Sequence, residues 1–427
     1  MDSAEIVTIG SEILSGRSVD THSALLSRAL QGAGLRVRLH TSVADDLEAM
    51  VEALKLALER SQLVVVTGGL GPTVDDLTRE ACARACGLEL VEDPIALAQV
   101  EERFRSRGRI PTPNNRLQAR LPKGAAILAN PHGTAPGFRV DLPDQSLFAL
   151  PGPPNELEPM LKEQVLPWLL AKRGRHSLER SLQVYGLAES AVDQALKGVV
   201  QPGAGEAYGL LAHPTHVEVI LSSLQASAAE AEAGVAKLCT QALEMLGERV
   251  YALDGEGLEA VVGSLFTEQQ ATLAVAESCT GGRVAARLTS VPGSSAYFLG
   301  GHITYSNALK EKLLMVPPFV LRKAGAVSKD TALAMAVGLA RSLGADYSLA
   351  VTGIAGPEGG TEEKPVGLVH VALATPKGVR HQEYRFGPDE RRRIQARAAQ
   401  AALWLAYCAL AGIETPEQGS DRGVISA

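Results

Sequence analysis

Short runs of apolar residues alternate with amphipathic segments over the first 173 residues of the chain. A short apolar run bounded by turn residues is typical of a buried strand, and apolar residues three or four positions apart indicate a helix with one buried face. Strands are predicted at 5–10, 35–40 and 63–69, and helices at 20–32 and 46–60. Strands that alternate with helices favour a parallel sheet covered on both faces, so residues 1–173 are predicted to form an α/β domain.

The pattern changes character twice after this first domain. Residues 174–254 contain two strand-like runs, each followed by a helical segment, which predicts a small α+β module that serves for spacing or subunit contact. Residues 255–415 return to alternation and predict a second α/β domain, and the polar segment 414–427 is predicted to fray. In the second α/β domain, strands are predicted at 271–277, 300–307, 347–353 and 368–375, and helices at 327–343 and 390–411.

The amino-acid composition disfavours several classes of function. The 427 residues carry a net charge of −7 and only 4% aromatic side chains, which disfavours nucleic-acid binding because phosphates and bases call for clustered cations and stacking rings. No uncharged apolar run approaches the ~18 residues that suggest a membrane span. Five scattered cysteines without a CxxC pair favour a reducing, cytoplasmic location over a disulfide framework or a zinc site.

The loop at 67–78, TGGLGPTVDDLT, joins a buried strand to a helix and is the strongest chemical signal in the first domain. Gly68 and Gly69 allow a backbone nest that can cradle phosphate, and Asp75 and Asp76 add a pair of carboxylates. Such a pair suits a divalent cation that also binds phosphate, although both residues could simply cap the next helix. The candidate metal ligands, all at the same predicted sheet edge, are Glu12, Asp20, Asp45, Asp75 and Asp76.

The segment ESCTGG, residues 277–282, places two nucleophiles on a turn from a strand into a helix in the last domain. Backbone N–H groups at such a turn, with Gly281 and Gly282 leaving it open, can stabilise an oxyanion. Cys279 is the stronger intrinsic nucleophile, whereas Ser278 needs a base or could be only a helix cap. Tyr305 and a desolvated Lys310, at the end of the next strand, are candidate activating groups.

The loop at 67–78, together with 9–16, 130–138 and 150–156, resembles the molybdopterin-binding fold of MoaB- and MogA-type proteins. The order and spacing of these motifs are similar to the N-terminal domain of the CinA family, which implies a three-layer α/β/α domain. Asp76-Leu77-Thr78 matches the Asp-Val-Thr of the molybdopterin branch, and Asp45 matches an acidic residue that follows the second strand.

This resemblance implies hydrolysis of ADP-ribose to AMP and ribose 5-phosphate with a divalent metal ion, Mg or Co, and a monovalent ion as a further candidate. A cation across the diphosphate would polarise phosphorus and orient water, with Asp76 in the catalytic position. The implied substrate contacts are Gly68, Gly69, Thr73 and Asn155. A molybdopterin-binding or adenylylating domain is the alternative for this segment.

The segments 277–282, 293–307, 325–328 and 351–367 match, in order, the C-terminal domain of the CinA family. The resemblance implies a nicotinamide mononucleotide (NMN) deamidase that releases ammonia and nicotinate mononucleotide without a cofactor. It assigns Ser278 as nucleophile, with Tyr305 and Lys310 as its activating partners. The implied substrate contacts are Gly281, Gly282, Thr352, Gly353, Arg391 and Arg392; the family's GDR motif is replaced by GPDERRRIQ, which leaves the choice among Arg391, Arg392 and Arg393 open.

Together these resemblances predict a bifunctional hydrolase of pyridine-nucleotide recycling that acts on two small nucleotides, NMN and ADP-ribose. The expected assembly is a homodimer, because MoaB-like domains commonly self-associate, and neither a membrane nor nucleic acid is an expected partner. A non-enzymatic partner protein in competence or recombination is the alternative, to which the net charge of −7 gives no support.

Overall fold

A computed structural model describes residues 3–200 and 205–414, so most of the predicted frayed segment 414–427 lies outside the described residues. The chain divides into two compact units. The first unit is Met1–Glu179 with Ser222–Val235, and the second is Arg180–Leu221 with Ala236–Ala427. Part of the predicted middle module therefore lies in the first unit, and the rest lies in the second.

A six-stranded sheet forms the centre of the first domain. Its strand order is β2-β1-β3-β8-β7-β6, in which the first four strands are parallel and the last two are antiparallel to their neighbours. The strands are β1 Ser3–Ile9, β2 Arg36–Val43, β3 Leu63–Thr67, β6 Ala126–Leu128, β7 Gly137–Asp141 and β8 Ser146–Leu150, with β4 Leu90–Glu92 and β5 Arg120–Pro122 as a separate pair. The sheet is thus mixed, and the prediction of a purely parallel sheet was wrong at its β7–β6 edge.

Helices cover both faces of this sheet. The helices are α1 Ser11–Leu14, α2 Thr21–Gly32, α3 Leu47–Arg60, α4 Thr78–Ala85, α5 Pro94–Arg105, α6 Pro154–Met160 and α7 Leu166–Arg173. Alternate residues of β3 enter two different cores: Val64 and Val66 pack in the core that contains α3, and Val65 packs in the core that contains α2 and α6. This confirms the predicted three-layer α/β/α architecture, since a strand buried on both faces needs apolar side chains at every position.

The middle module has a four-stranded sheet in the order β10-β11-β9-β12 and two helices. Its elements are β9 His176–Val184, α8 Glu189–Ala195, β10 Glu206–Ala212, β11 Val217–Gln225, α9 Ala228–Leu246 and β12 Val250–Leu253. Strands β10 and β12 were not predicted, although the α+β character of the module was.

The last domain contains a five-stranded sheet in the order β14-β13-β15-β16-β17. Strand β13 runs parallel to both neighbours, and β16 and β17 are antiparallel. The strands are β13 Leu273–Glu277, β14 Phe298–Ile303, β15 Tyr347–Gly353, β16 Leu368–Thr375 and β17 Gly378–Arg385, and the helices are α10 Leu258–Glu268, α11 Arg283–Ser290, α12 Asn307–Leu314, α13 Pro318–Ala324, α14 Lys329–Leu343 and α15 Arg391–Leu410. One core joins the sheet to α10, α11 and α15, and another joins it to α12–α14.

The sequence-based prediction of an α/β last domain is confirmed. All five residues of β13 are buried, and the parallel pairing places Glu277 beside Ile303 of β14. The ends of β13 and β14 therefore share one edge of the sheet, which brings the segments after them, 278–282 and 304–310, close together.

Candidate active site

The turn after β13 brings Ser278 to the edge of the last domain's sheet. The Thr304 N–H donates to the Glu277 carbonyl at 2.8 Å, and the Ser278 N–H donates to the Val351 carbonyl at 3.0 Å. The turn then reverses through Gly281 and Gly282, whose φ angles of 61° and 96° lie in a region that side-chain-bearing residues rarely adopt. The residue that precedes α11 as its cap is Gly282, so Ser278 is not a helix cap.

Lys310, in the first turn of α12, is directed into this turn. Its Nζ lies 3.1 Å from the Ser278 Oγ and donates to the carbonyls of Thr304 at 2.7 Å and Tyr305 at 3.4 Å. Lys310 is 1% exposed, and burial lowers the pKa of its amine below the ordinary value of 10.5. A neutral amine has two hydrogens, one for each carbonyl, and its lone pair is then free to accept the Ser278 hydrogen.

Cys279 is the alternative nucleophile, and its surroundings disfavour that role. The side chain is buried in the core beneath α11 and α15, and desolvation raises the pKa of the thiol to about 12. Because the thiolate is the reactive form of cysteine, this thiol is inert near neutral pH. The geometry favours Ser278.

Glu277 is a part of the site that sequence reasoning missed. Its buried carboxylate accepts the backbone N–H groups of Gly282 at 2.9 Å, Val284 at 3.2 Å and Ala285 at 2.8 Å. The carboxylate thereby satisfies the first amides of α11. A glutamate that ends a strand six residues before the first residue of a helix was the available signal.

These contacts correct one expectation about oxyanion stabilisation. The Gly282 amide is occupied by Glu277, and the Gly281 N–H donates to the Ser278 carbonyl at 3.2 Å. Within the described part of the turn, the amides of Cys279 and Thr280 remain the candidate donors to an oxyanion.

Helix α15 braces the same turn from the other side. The Gln395 Nε2 donates to the Cys279 carbonyl at 2.8 Å, and Gln395 was also missed from the sequence. Arg391, at the first turn of α15, donates to the Gly356 carbonyl at 2.7 Å and to the Tyr305 hydroxyl at 2.8 Å. Arg391 is therefore the arginine that reaches the site.

The structure corrects the role predicted for Tyr305. Its hydroxyl accepts from Arg391, and only its main-chain carbonyl contacts Lys310. No hydrogen bond between the Tyr305 side chain and Ser278 is present among the described residues. Tyr305 is thus not positioned to take the proton of Ser278.

The other residues of this domain that were predicted to bind substrate are Thr352, Gly353 and Arg392. Thr352 is buried and donates to the Ala326 carbonyl at 2.7 Å, and Gly353 ends β15 beside it. Arg392 is exposed, and Arg393 lies 4.0 Å from Asp389. Thr352 therefore supports the segment before α14, and Arg391 is better placed than its two neighbours.

The predicted acidic edge of the first domain is present, but its side chains bind neighbouring protein groups. Asp45 accepts both the N–H and the hydroxyl of Ser11 at 2.8 Å. Asp20 caps α2 through the Ser23 N–H and also accepts from the Thr8 hydroxyl at 3.1 Å. The loops after β1 and β2 therefore meet, as their parallel strands imply.

The loop after β3 is held by residues on two sides. Asp76 accepts the N–H groups of Gly71 at 2.7 Å and Thr73 at 2.8 Å, while buried Arg79 donates to the carbonyls of Leu70 at 2.6 Å and Gly71 at 2.7 Å. Gly68 and Gly69 both have positive φ angles, and the Gly68 N–H donates to the Leu150 carbonyl at 3.2 Å, so this amide is not free to bind the phosphate that the sequence predicted for it. Asp76 is therefore an organiser of the loop as well as a candidate ligand.

The Thr73 hydroxyl lies against two carboxylates at once. It contacts Asp75 Oδ1 and, at 2.6 Å, Asp76 Oδ2. The hydrogen bond from Thr73 lowers the pKa of Asp75, which keeps this exposed carboxyl ionised. A hydroxyl has one hydrogen and can satisfy only one of the two oxygens, so the pair suits an additional cation.

The five predicted metal ligands do not form one metal centre. Within residues 3–200 and 205–414, no group of three or more His, Cys, Asp or Glu side chains is arranged to hold a metal ion. The prediction that Glu12, Asp20, Asp45, Asp75 and Asp76 share one centre is corrected in this respect, because Asp20 accepts hydrogen bonds from Ser23 and Thr8, and Asp45 accepts them from Ser11. Asn155 is exposed in the first turn of α6.

No helix in the described part of the chain has the length and apolarity needed to span a membrane.

Comparison with known proteins identifies three family domains along the chain. Residues 5–171 match a probable molybdopterin binding domain, residues 179–252 match the KH domain of damage-inducible protein CinA, and residues 255–410 match the CinA C-terminal domain.

Similar proteins extend over nearly the full length. A relative from Moorella thermoacetica, named competence-damage inducible protein, is 43% identical over 409 residues, which is 95% of this chain and 98% of the relative. A CinA-like protein from Geobacter sp. (strain M21) is 43% identical over 417 residues, 97% of this chain and 99% of the relative. The solved structure of a competence/damage inducible protein from Agrobacterium tumefaciens is 42% identical over 36% of this chain and 97% of that one, with a TM-score of 0.35.

Proposed function

The chain belongs to the CinA family, and on that premise we propose that its last domain is an amidase that converts NMN and water to nicotinate mononucleotide and ammonia. The observation that carries the proposal is the contact between a buried, desolvated lysine and a serine hydroxyl: Lys310 Nζ lies 3.1 Å from Ser278 Oγ. A serine needs an adjacent base to attack an amide, and an amine of lowered pKa is a suitable base.

The first half of the reaction forms an ester. Neutral Lys310 takes the hydroxyl hydrogen of Ser278 while Oγ bonds to the carboxamide carbon of NMN. The negative oxygen that develops is stabilised by amides of the turn, for which Cys279 and Thr280 are the candidates. Protonated Lys310 then gives its proton to the departing nitrogen, so that ammonia leaves and the acyl group stays on Ser278.

The second half restores the enzyme. Lys310, neutral again, takes a proton from a water molecule that attacks the ester carbon. The ester bond breaks, the proton held by Lys310 passes to Ser278 Oγ, and nicotinate mononucleotide leaves as a carboxylate after its acid proton is lost to solvent. Arg391, at the mouth of the site, is the residue we assign to the substrate phosphate, because a guanidinium binds phosphate in bidentate fashion.

The test is release of ammonia from NMN by the purified protein. Ser278→Ala should lower the rate by at least about 10⁴-fold, as loss of a nucleophile does in serine hydrolases, while the fold is kept. Cys279→Ala, which removes the neighbouring buried thiol, is the matched control and should retain most of the activity. If Cys279→Ala abolishes turnover and Ser278→Ala does not, the nucleophile is Cys279.

We also propose that the first domain hydrolyses ADP-ribose to AMP and ribose 5-phosphate with a divalent ion, Mg or Co. The observation that favours this activity is the pair of carboxylates on a single Thr73 hydroxyl, in the loop that begins with Gly68 and Gly69. A magnesium ion that arrives with a diphosphate needs only one or two protein carboxylates, so a larger ligand set is not required. Asp75 and Asp76 are the residues that would hold the ion, which would polarise the diphosphate when bound.

The test is formation of AMP from ADP-ribose in the presence of Mg²⁺ or Co²⁺. Asp75→Asn should lower the metal-stimulated rate while leaving ammonia release from NMN intact. Asp144→Asn, an exposed aspartate in the β7–β8 turn, is the matched control. Consumption of ATP in place of ADP-ribose would instead favour an adenylylating domain.

A further inference from the structure

Tyr305 is anchored at both ends while its ring remains open to solvent. Its hydroxyl accepts from Arg391 at 2.8 Å, and its carbonyl accepts from Lys310 at 3.4 Å. The residue is nevertheless 62% exposed. The protein therefore holds both ends of Tyr305 by hydrogen bonds but leaves a face of its ring uncovered.

The other tyrosines of the last domain behave differently. Each of them packs against a second aromatic ring: Tyr297 and Tyr347 against Phe266, Tyr384 against Phe386, and Tyr407 against Trp404. For Tyr305, neither an aromatic partner nor a cation over the ring is found among the described residues; the cation–π contacts there involve Phe148 and Trp168. An exposed aromatic face, on the residue whose carbonyl contacts Lys310, is therefore left for a ligand.

The position of this ring matches what the proposed substrate requires. The carboxamide that Ser278 attacks is attached directly to a pyridinium ring, so the pyridinium must lie within a few ångströms of the Ser278–Lys310 pair. The phosphate lies at the other end of the nucleotide, towards Arg391 in the proposed orientation. The Tyr305 side chain runs between these two points, because its main chain contacts Lys310 and its hydroxyl contacts Arg391.

The charge of the substrate ring explains why an aromatic face is useful there. A pyridinium is cationic, and the nearby side chains Lys310 and Arg391 offer it no negative charge. The face of a tyrosine ring is electronegative and attracts a cation placed over it. The hydrogen bond from Arg391 holds the hydroxyl end of the side chain in place, which reduces the entropy lost when the substrate binds.

Resting on the amidase function proposed above, we propose that the ring of Tyr305 is the binding platform for the cationic pyridinium of the substrate. This makes Tyr305 a substrate-binding residue that acts through its ring, not through its hydroxyl. It follows that the site prefers quaternary pyridinium carboxamides to neutral ones.

The experiment separates the ring from the hydroxyl by steady-state kinetics. Tyr305→Leu, which removes the ring, should raise the KM for NMN by about 3- to 30-fold and change kcat less than threefold. Tyr305→Phe, which keeps the ring, should restore KM to within about threefold of the wild-type value. If Tyr305→Phe loses 10²-fold or more in kcat, as Tyr305→Leu then also would, the hydroxyl transfers a proton and the proposal is overturned.

Two further measurements keep the result decisive. Calorimetric titration of NMN into Ser278→Ala and into the Ser278→Ala, Tyr305→Leu double variant gives Kd without turnover and should show the same 3- to 30-fold difference. The reduced dihydropyridine form of NMN has the same ribose and phosphate but a neutral ring, so its inhibition constant should change less than twofold in Tyr305→Leu. An equal loss for the charged and neutral rings would overturn the cation-specific role.

The matched control is Phe319→Leu, which removes an aromatic side chain that is also 62% exposed in the same domain. Its KM and kcat should equal those of the wild type. Failure of the proposed function is distinguishable, because the wild-type protein would then release no ammonia from NMN. If the wild-type protein is active but Tyr305→Leu leaves the KM for NMN unchanged, the present inference is wrong and the proposed function stands.

Discussion

The two candidate sites occupy equivalent places at sheet edges, yet they are built in opposite ways. In the last domain, the reactive groups are buried: Lys310 is 1% exposed, and its amine contacts Ser278 directly. In the first domain, Asp75 is exposed, and the oxygens of Asp76 bind amides of their own loop. One site brings its proposed nucleophile and base into direct contact, and the other presents a pair of carboxylates on a loop held by hydrogen bonds.

The two candidate sites differ in the source of their reactivity. Burial of Lys310 lowers the pKa of the amine, so the protein itself supplies the base. The Asp75 carboxylate of the first domain, whose pKa is lowered by the Thr73 hydroxyl, keeps its charge and would gain reactivity only with a ligand that brings a cation to it. The proposed amidase activity should therefore depend on side chains of the protein, and the proposed pyrophosphatase activity on the metal ion added to the solution.

Apart from loss of Ser278, the largest expected effect comes from substitution of the buried base. Lys310→Arg keeps the positive charge but cannot deprotonate near neutral pH, so kcat for ammonia release should fall by about 10²- to 10⁴-fold. AMP formation from ADP-ribose should be unchanged, because Lys310 is not part of the first domain. An active Lys310→Arg variant would show that another group accepts the Ser278 proton.

Removal of metal ions should lower one of the two proposed activities and leave the other unchanged. Exhaustive treatment with EDTA is expected to lower ADP-ribose hydrolysis by roughly 10²-fold or more, since a Lewis acid at a diphosphate contributes several kcal/mol. Ammonia release from NMN should persist, and added Mg²⁺ or Co²⁺ should restore AMP formation. Equal sensitivity of both activities to EDTA would contradict the comparison.

The two activities should also differ in their pH dependence. Below the pKa of Lys310, protonation removes the base, so kcat/KM for NMN should fall about tenfold per pH unit, along a limb that lies below pH 10.5. The pKa of Asp75 is lowered, so that carboxyl stays ionised above pH about 4 and should give no acidic limb near neutrality. Rate profiles of both reactions from pH 5 to about 10 provide the measurement.

The smallest effect is expected from Gln395, which holds the Cys279 carbonyl from α15. Gln395→Ala removes one hydrogen bond that orients the nucleophile turn and should lower kcat by about 3- to 10-fold. Its KM and thermal unfolding midpoint should change little. Gln194→Ala, in the middle module, is the control and should leave kcat unaffected.

The fold was predictable where apolar spacing decides the structure. Buried strands such as β3 and β13 have every residue buried, and their runs of Val, Leu and Ala identified them. Strand β17, Gly378–Arg385, was missed because it reads GVRHQEYR and carries mostly polar residues. Edge strands need few apolar residues, since one face or one side meets water.

The candidate sites were predictable to the extent that strand ends share a sheet edge. That rule brought Lys310 to Ser278 across 32 residues. It could not reveal Gln395, because a helical pattern gives no information about which distant turn a polar side chain will reach. Nor could it show that Glu277 takes the Gly282 amide, since such bonds depend on local backbone directions that composition does not specify.

The burial of Cys279 has a consequence for survival under oxidative stress. Peroxide attacks exposed thiolates, and this thiol is both covered and protonated, with a pKa of about 12. Under the function proposed above, a serine-dependent activity next to this shielded sulfur should persist in peroxide concentrations that inactivate thiol-dependent enzymes.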